Sequence, residues 1–84
     1  MGKRIVVGVH VKKREQEAPR IQQILTEFGT NIRTRLGLHP TEGEHATTGL
    51  ILLEMVGPES RIEEMENKLR LIEGVTVNRM EFET

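Results

Sequence analysis

Three stretches of the chain alternate apolar and polar side chains with a period of two, a fourth is apolar on both parities, and two others repeat apolar residues at helical spacing. Their order is strand, helix, strand, strand, helix, strand. From Arg4 to Lys12, Ile5, Val7, Val9 and Val11 share one parity, while Val6, Gly8 and His10 share the other. A β-branched strand with one small, mixed side fits the centre of a sheet whose outer face something else approaches closely. From Asn31 to Leu38, Ile32, Thr34, Leu36 and Leu38 alternate with Asn31, Arg33, Arg35 and Gly37, a half-polar pattern suited to a sheet edge. The stretch Thr48–Val56 differs from both because it is apolar on both parities except at Glu54. A buried carboxylate needs a partner, so the parity of Glu54 is expected to face outward. Ile51, Leu53 and Met55 are then expected inward, and Leu50, Leu52 and Val56 on the opposite face.

The first helix carries Ala18, Ile21, Ile24, Leu25 and Phe28 on one stripe. Residues 13–17 read as a charged turn before it, with Pro19 in the first helical turn and Gly29 as a left-handed stop. The second helix carries Ile62, Met65, Leu69 and Ile72. It opens either with a Ser60/Glu63 capping box or with Pro58 in the first turn, and it ends at Glu73-Gly74. The last stretch, Val75–Phe82, changes apolar parity at Met80, which calls for a bulge near Asn78-Arg79 or for a tail packed on a partner.

No linker, repeat or low-complexity tract cuts this order, so residues 1–84 are expected to form one domain. Right-handed crossovers convert it into a split βαβ, ferredoxin-like α+β sandwich: a four-stranded antiparallel sheet, first and third strands central, two helices on one face. The other face is left open, as a subunit interface or a ligand wall. A domain this small buries only about 60–65% of the surface its unfolded chain exposes, which favours a dimer or tetramer.

Charge changes the picture by exclusion. Twelve Lys and Arg against thirteen Asp and Glu give no basic field for phosphates, and with Phe28 and Phe82 the only aromatics there is no base-stacking platform. Direct nucleic-acid binding, which would need Arg33, Arg35 and Lys12 on one face, is not expected. No apolar run approaches the roughly 20 residues of a membrane span, and no secretory leader is recognisable, so a soluble cytoplasmic protein is expected.

The chemistry on offer is sparse. The absence of cysteine removes thiolate nucleophiles, thiolate metal sites and disulfides. His10, His39 and His45 are the only imidazoles. His39 and His45 flank a Pro- and Gly-containing loop that also holds Glu42 and Glu44. Such ligands would suit nickel, zinc or iron, but the spacing matches no established metal signature, and a solvated loop is the plainer account. No carboxylate pair is forced together for acid–base work, and no phosphate-binding glycine pattern occurs. No catalytic residue and no cofactor is expected. Gly8 and Gly37, if they share a sheet face, leave room for a ligand or a neighbouring backbone. Arg35 offers a planar fork for an anionic group, or else a charge that blunts an edge strand.

The runs K-R-I-V-V-G-V, A-P-R-I-Q-Q-I-L-T-E-F-G, I-R-T-R-L-G-L, E-M-V-G-P-E-S-R-I and L-I-E-G-V-T-V span nearly the whole chain. With Pro19, Phe28-Gly29, Arg35–Leu38 and Gly74-Val75 in their places, the chain resembles the small iron-only hydrogenase system regulators, whose domains are ACT-like. The resemblance implies a regulatory domain that forms homo-oligomers, senses a small effector and acts through a protein partner or through a change in assembly. Gly8, Arg35, Gly37 and the loop 39–47 are the candidate effector residues, and Val6, Leu50, Leu52 and Val56 the candidate interface. One rival reading is a metal-responsive sensor, like the regulatory domain of nickel-responsive repressors, using His10, His39 and His45. The other is a purely structural assembly subunit.

Overall fold

The computed structural model describes residues 2–38 and 47–84. Its elements are β1 (Lys3–Val11), α1 (Arg14–Glu27), a short 3-10 turn (Gly29–Asn31), β2 (Ile32–Leu38), β3 (Gly49–Met55), α2 (Glu59–Arg70) and β4 (Val75–Glu83). The sheet order is β2-β3-β1-β4 with every neighbouring pair antiparallel. This is the ferredoxin-like βαββαβ arrangement, with β1 and β3 central. Residues 39–46, which hold His39 and His45, lie outside the described residues.

The period-2 pattern of β1 sets which face is buried. Ile5, Val7, Val9 and Val11 turn towards the helices, as do Leu53 and Met55 of β3, and all six are buried. Ile21, Leu25 and Phe28 from α1 and its exit, Ile62, Met65, Leu69 and Ile72 from α2 and its exit, and Val77 from β4 complete the core. Glu54 therefore lies on the open side, where Arg4 Nε donates to it at 2.9 Å. The expected parity of β3 is the observed one.

Several local features differ from expectation. Helix α1 begins at Arg14, so residues 14–17 form its first turn and Pro19 sits inside the helix. Glu15 and Glu17 favour this earlier start because their charges complement the positive helix end. The missing N–H of Pro19 forfeits only the bond to the Glu15 carbonyl, close to that end. Gly29 does not adopt a left-handed conformation, since among the described glycines positive φ occurs only at Gly57 (94°) and Gly74 (81°). Helix α1 instead closes through Phe28 N–H to the Ile24 carbonyl at 3.2 Å and tightens into the 3-10 turn. Helix α2 has neither a capping box nor a proline in its first turn. Pro58 is the extended residue before it, and its carbonyl accepts from Arg61 N–H at 3.0 Å.

The strand irregularity is also elsewhere. β4 runs against β1 without a break from Lys3↔Glu83 to Val11↔Val75, so there is no bulge at Asn78-Arg79. The register shift lies in β2 between Ile32 and Thr34. It lets Ile32 pack on the core beside Met55, while Thr34, Leu36 and Leu38 point to the open face.

Candidate functional site

Two surfaces stand apart from the closed core. The first is the open sheet face. Cross-strand register places Leu36 beside Leu52 and Leu38 beside Leu50 on β2 and β3, then Val6 beside Met80 and Arg4 beside Phe82 on β1 and β4. Leu36, Leu38, Met80 and Phe82 are 42–53% exposed, and Val6, Leu50 and Leu52 are half-buried. Gly8 is the low point between them. A Cβ there would meet Leu52 Cδ2 at 3.6 Å and the Asn78 carbonyl at 3.8 Å. The outcome is a band of apolar residues reaching across all four strands, with a dip at Gly8 and with the Arg4–Glu54 pair, Asn78 and His10 among them.

The parity change in β4 is what extends this band to Met80 and Phe82. At the helix-facing position the chain places Arg79, which Glu66 of α2 holds by Nε to Oε2 at 2.9 Å and Nη2 to Oε1 at 2.6 Å. Those hydrogen bonds, reinforced by Glu59 and Glu81, keep the Arg79 guanidinium protonated well above the ordinary arginine range despite its partial burial. An ion pair thus occupies one core-side position, and the apolar residues after it stay on the open face.

The second surface is a cavity of about 230 Å³ where α1 meets the ends of β2 and β3. Val11, Ala18, Ile21 and Ile51 give it apolar walls, Gly37 lies at its β2 side, and Arg14 and Gln22 supply its polar side chains. Arg14 lies across Gly49, where an added Cβ would be 3.3 Å from its Cγ and Cδ. At Gly37 an added Cβ would meet nothing within 4 Å.

The residues singled out in the sequence separate between these surfaces. Gly37 borders the cavity, and Arg35 is one contact away, its Nη2 donating to Gln22 Oε1 at 2.8 Å. Gly8 is not with them. It pairs with Leu52 and Asn78 on the open face, whereas Gly37 pairs with Ile51 on the helix side, so the two glycines do not share a face. Val6, Leu50 and Leu52 are together on the open face. Val56 follows the last paired residue of β3, 38% exposed, with its N–H bonded to the Asn31 carbonyl at 2.8 Å. His10 is exposed in β1 opposite Leu50 and Thr76. Among the described residues, no three His, Asp or Glu side chains are grouped to hold a metal ion. No described helix is long and apolar enough to cross a membrane. Sequence reasoning missed Arg14, assigned to a turn, and the Leu36, Leu38, Met80 and Phe82 part of the band. The parity change at Met80 was the signal for the latter.

Comparison with known proteins places this geometry. The family model of the TM1266-like proteins, described as iron-only hydrogenase system regulators, matches residues 3–79. The chain belongs to this family. The fold is shared with protein TM1266 of Thermotoga maritima, with 24% identity over 98% of this chain and 100% of that one, TM-score 0.82. It is shared with the ACT domain of the GTP pyrophosphokinase of Chlorobium tepidum, with 22% identity over 92% and 96%, TM-score 0.70. The apo form of CPII, a nitrogen regulatory PII-like protein of Thiomonas intermedia K12, also aligns, with 8% identity over 96% and 90%, TM-score 0.67. A further structure of CPII holds ADP, AMP and bicarbonate. No curated protein matches the chain. Membership of a family described as iron-only hydrogenase system regulators is thus combined with a fold shared with ACT and PII-like domains.

Proposed function

We propose that this domain is a non-catalytic sensor that self-associates through its open sheet face and takes a small effector in the cavity beside α1. The observation that carries the reading is the apolar band from Leu36 to Phe82, left uncovered on a small domain that already buries its other face. Exposed apolar surface that reaches across a whole sheet marks an interaction site. An isologous pairing of two such faces would cover both bands at once.

The cavity supports the sensing half of the reading. Leu38 and Leu50 border both the cavity and the open face. An occupant of the cavity therefore touches residues whose side chains stand on the face a partner subunit would cover, and its binding energy biases assembly by its differential affinity for the two states. Relatives in fold support effector binding as a class, CPII being one that takes nucleotides and bicarbonate.

Sedimentation equilibrium tests the assembly half. The chain is expected to be a dimer or larger at micromolar concentration, and Leu52→Glu is expected to be a folded monomer. A wild-type monomer with the face bare to water would remove the proposal. A metabolite panel read by thermal shift, followed by sedimentation with each hit, tests the sensing half.

A further inference from the structure

The cavity's lining specifies its occupant more narrowly. We infer that it takes a short aliphatic monocarboxylate, with the carboxylate on Arg14 and the hydrocarbon against Val11, Ala18, Ile21 and Ile51. This rests on the sensing proposal and names the chemical class of the effector.

Four observations carry it. The walls are apolar apart from Arg14 and Gln22, and the Gln22 carboxamide oxygen already accepts from Arg35. Among the described residues, Arg14 is the single charged side chain on the lining and makes no ion pair. Its stem is held in place by the absence of a side chain at Gly49, where a Cβ would press on Cγ and Cδ at 3.3 Å. The cavity, at about 230 Å³, lies below the roughly 300–1,000 Å³ of sites that enclose drug-sized molecules, so a nucleotide does not fit within it.

Charge and size together select the class. A guanidinium on an apolar, partly closed wall binds a carboxylate through two parallel N–H donors, and low local polarity strengthens the pair. Among the described residues no carboxylate lines the cavity to receive an ammonium group, so an α-amino acid would carry a positive charge next to Arg14 without a side-chain partner from them. Loss of the amine therefore improves binding, and loss of the carboxylate weakens it.

The test is a two-dimensional amide NMR titration of the full chain with 4-methylpentanoate, 4-methylpentanamide and leucine, which share one branched skeleton. Saturable shifts centred on Arg14, Gly37 and Gly49 are expected with 4-methylpentanoate, with the amide and leucine at least tenfold weaker. Arg14→Gln should weaken the carboxylate at least tenfold. Gly37→Val should fold, because its side chain enters open space, and should lose binding by filling the cavity. Absence of saturable shifts at these amides, leucine or the amide binding as tightly as the acid, or wild-type binding by Arg14→Gln overturns the assignment. The wild-type comparison of the three compounds decides without any variant. A different metabolite that shifts assembly while 4-methylpentanoate does not would overturn this assignment and leave the sensing proposal standing. Assembly that ignores every compound, with 4-methylpentanoate bound at the cavity, would do the reverse.

Discussion

Arg79 of β4 and Glu66 of α2 meet through two hydrogen bonds, 2.9 and 2.6 Å long, with Glu66 only 3% exposed. Such a pair is worth little against well-packed hydrocarbon but is costly to break from one side. Arg79→Met leaves the Glu66 carboxylate buried without its partner and is expected to lose about 3 kcal/mol in urea unfolding, while Glu66→Met combined with Arg79→Met should return to within about 1 kcal/mol of wild type. A double variant no more stable than the single one would contradict this account of the pair. The pH dependence follows from the raised pKa of Arg79, caused first by its hydrogen bond to Glu66. A cation whose folded pKa is raised gives its full stabilisation below its unfolded value and loses it only as pH climbs past that value. Wild-type stability owed to Arg79 should therefore stay constant from about pH 7 to pH 10.

Gly57 turns the chain from β3 into α2 with φ 94°, and an added Cβ would lie 2.5 Å from Asn31 Nδ2. That amide is buried and donates to the Val56 carbonyl at 3.0 Å. Gly57→Ala therefore combines a left-handed strain with a displaced buried hydrogen bond, and about 2–4 kcal/mol of stability should be lost. Gly29→Ala is the contrast. With no positive φ and nothing within 4 Å of the new methyl group, it should change stability by no more than about 1 kcal/mol, with the sign towards stabilisation. Equal losses in the two variants would show that Gly57 is not special.

The element order and the buried parity were legible because Ile5, Val7, Val9 and Val11 repeat without interruption and Glu54 breaks the symmetry of its own strand. What escaped was decided between elements. Arg79 reads as a polar interruption until α2 supplies Glu66 on the same side, and only then does β4 need no bulge. Gly8 and Gly37 fall on different faces because the register shift between Ile32 and Thr34 and the pairing with β3 set the orientation of β2. The cavity has the same origin. Arg14 and Gly49 are 35 positions apart in sequence, and nothing in either strand or helix pattern marks that one cradles the other.

Pro19 tests where α1 begins. It occupies the sixth position of the helix, on the exposed side, where alanine could donate to the Glu15 carbonyl and proline cannot. The helix-interior penalty of proline is about 3 kcal/mol relative to alanine, reduced here by the position near the helix start and by the stiffer unfolded chain. Pro19→Ala is expected to raise stability by about 1 kcal/mol in thermal or urea unfolding. A loss of stability would place Pro19 in a first turn after all, where its ring is an advantage.

Gly8 offers the sharpest separation of folding from assembly. It lies in the middle of β1, its backbone paired on both sides, and its missing side chain leaves the dip in the apolar band. The nearest atoms to an added Cβ are at 3.6 and 3.8 Å, ordinary contact distances, so Gly8→Ala should fold as wild type and gain slightly from the strand preference for a side chain. Gly8→Phe should also fold, because its ring projects away from the helices and leaves Val7 and Val9 in the core untouched. On the open face that ring would stand above Leu52 and Met80, where a second copy must approach. Sedimentation should then show Gly8→Ala assembling like wild type and Gly8→Phe as a monomer with an unchanged helix and strand signal. If Gly8→Phe assembles normally, the second copy does not cover the centre of the band, and the interface must lie on an outer strand, β2 or β4.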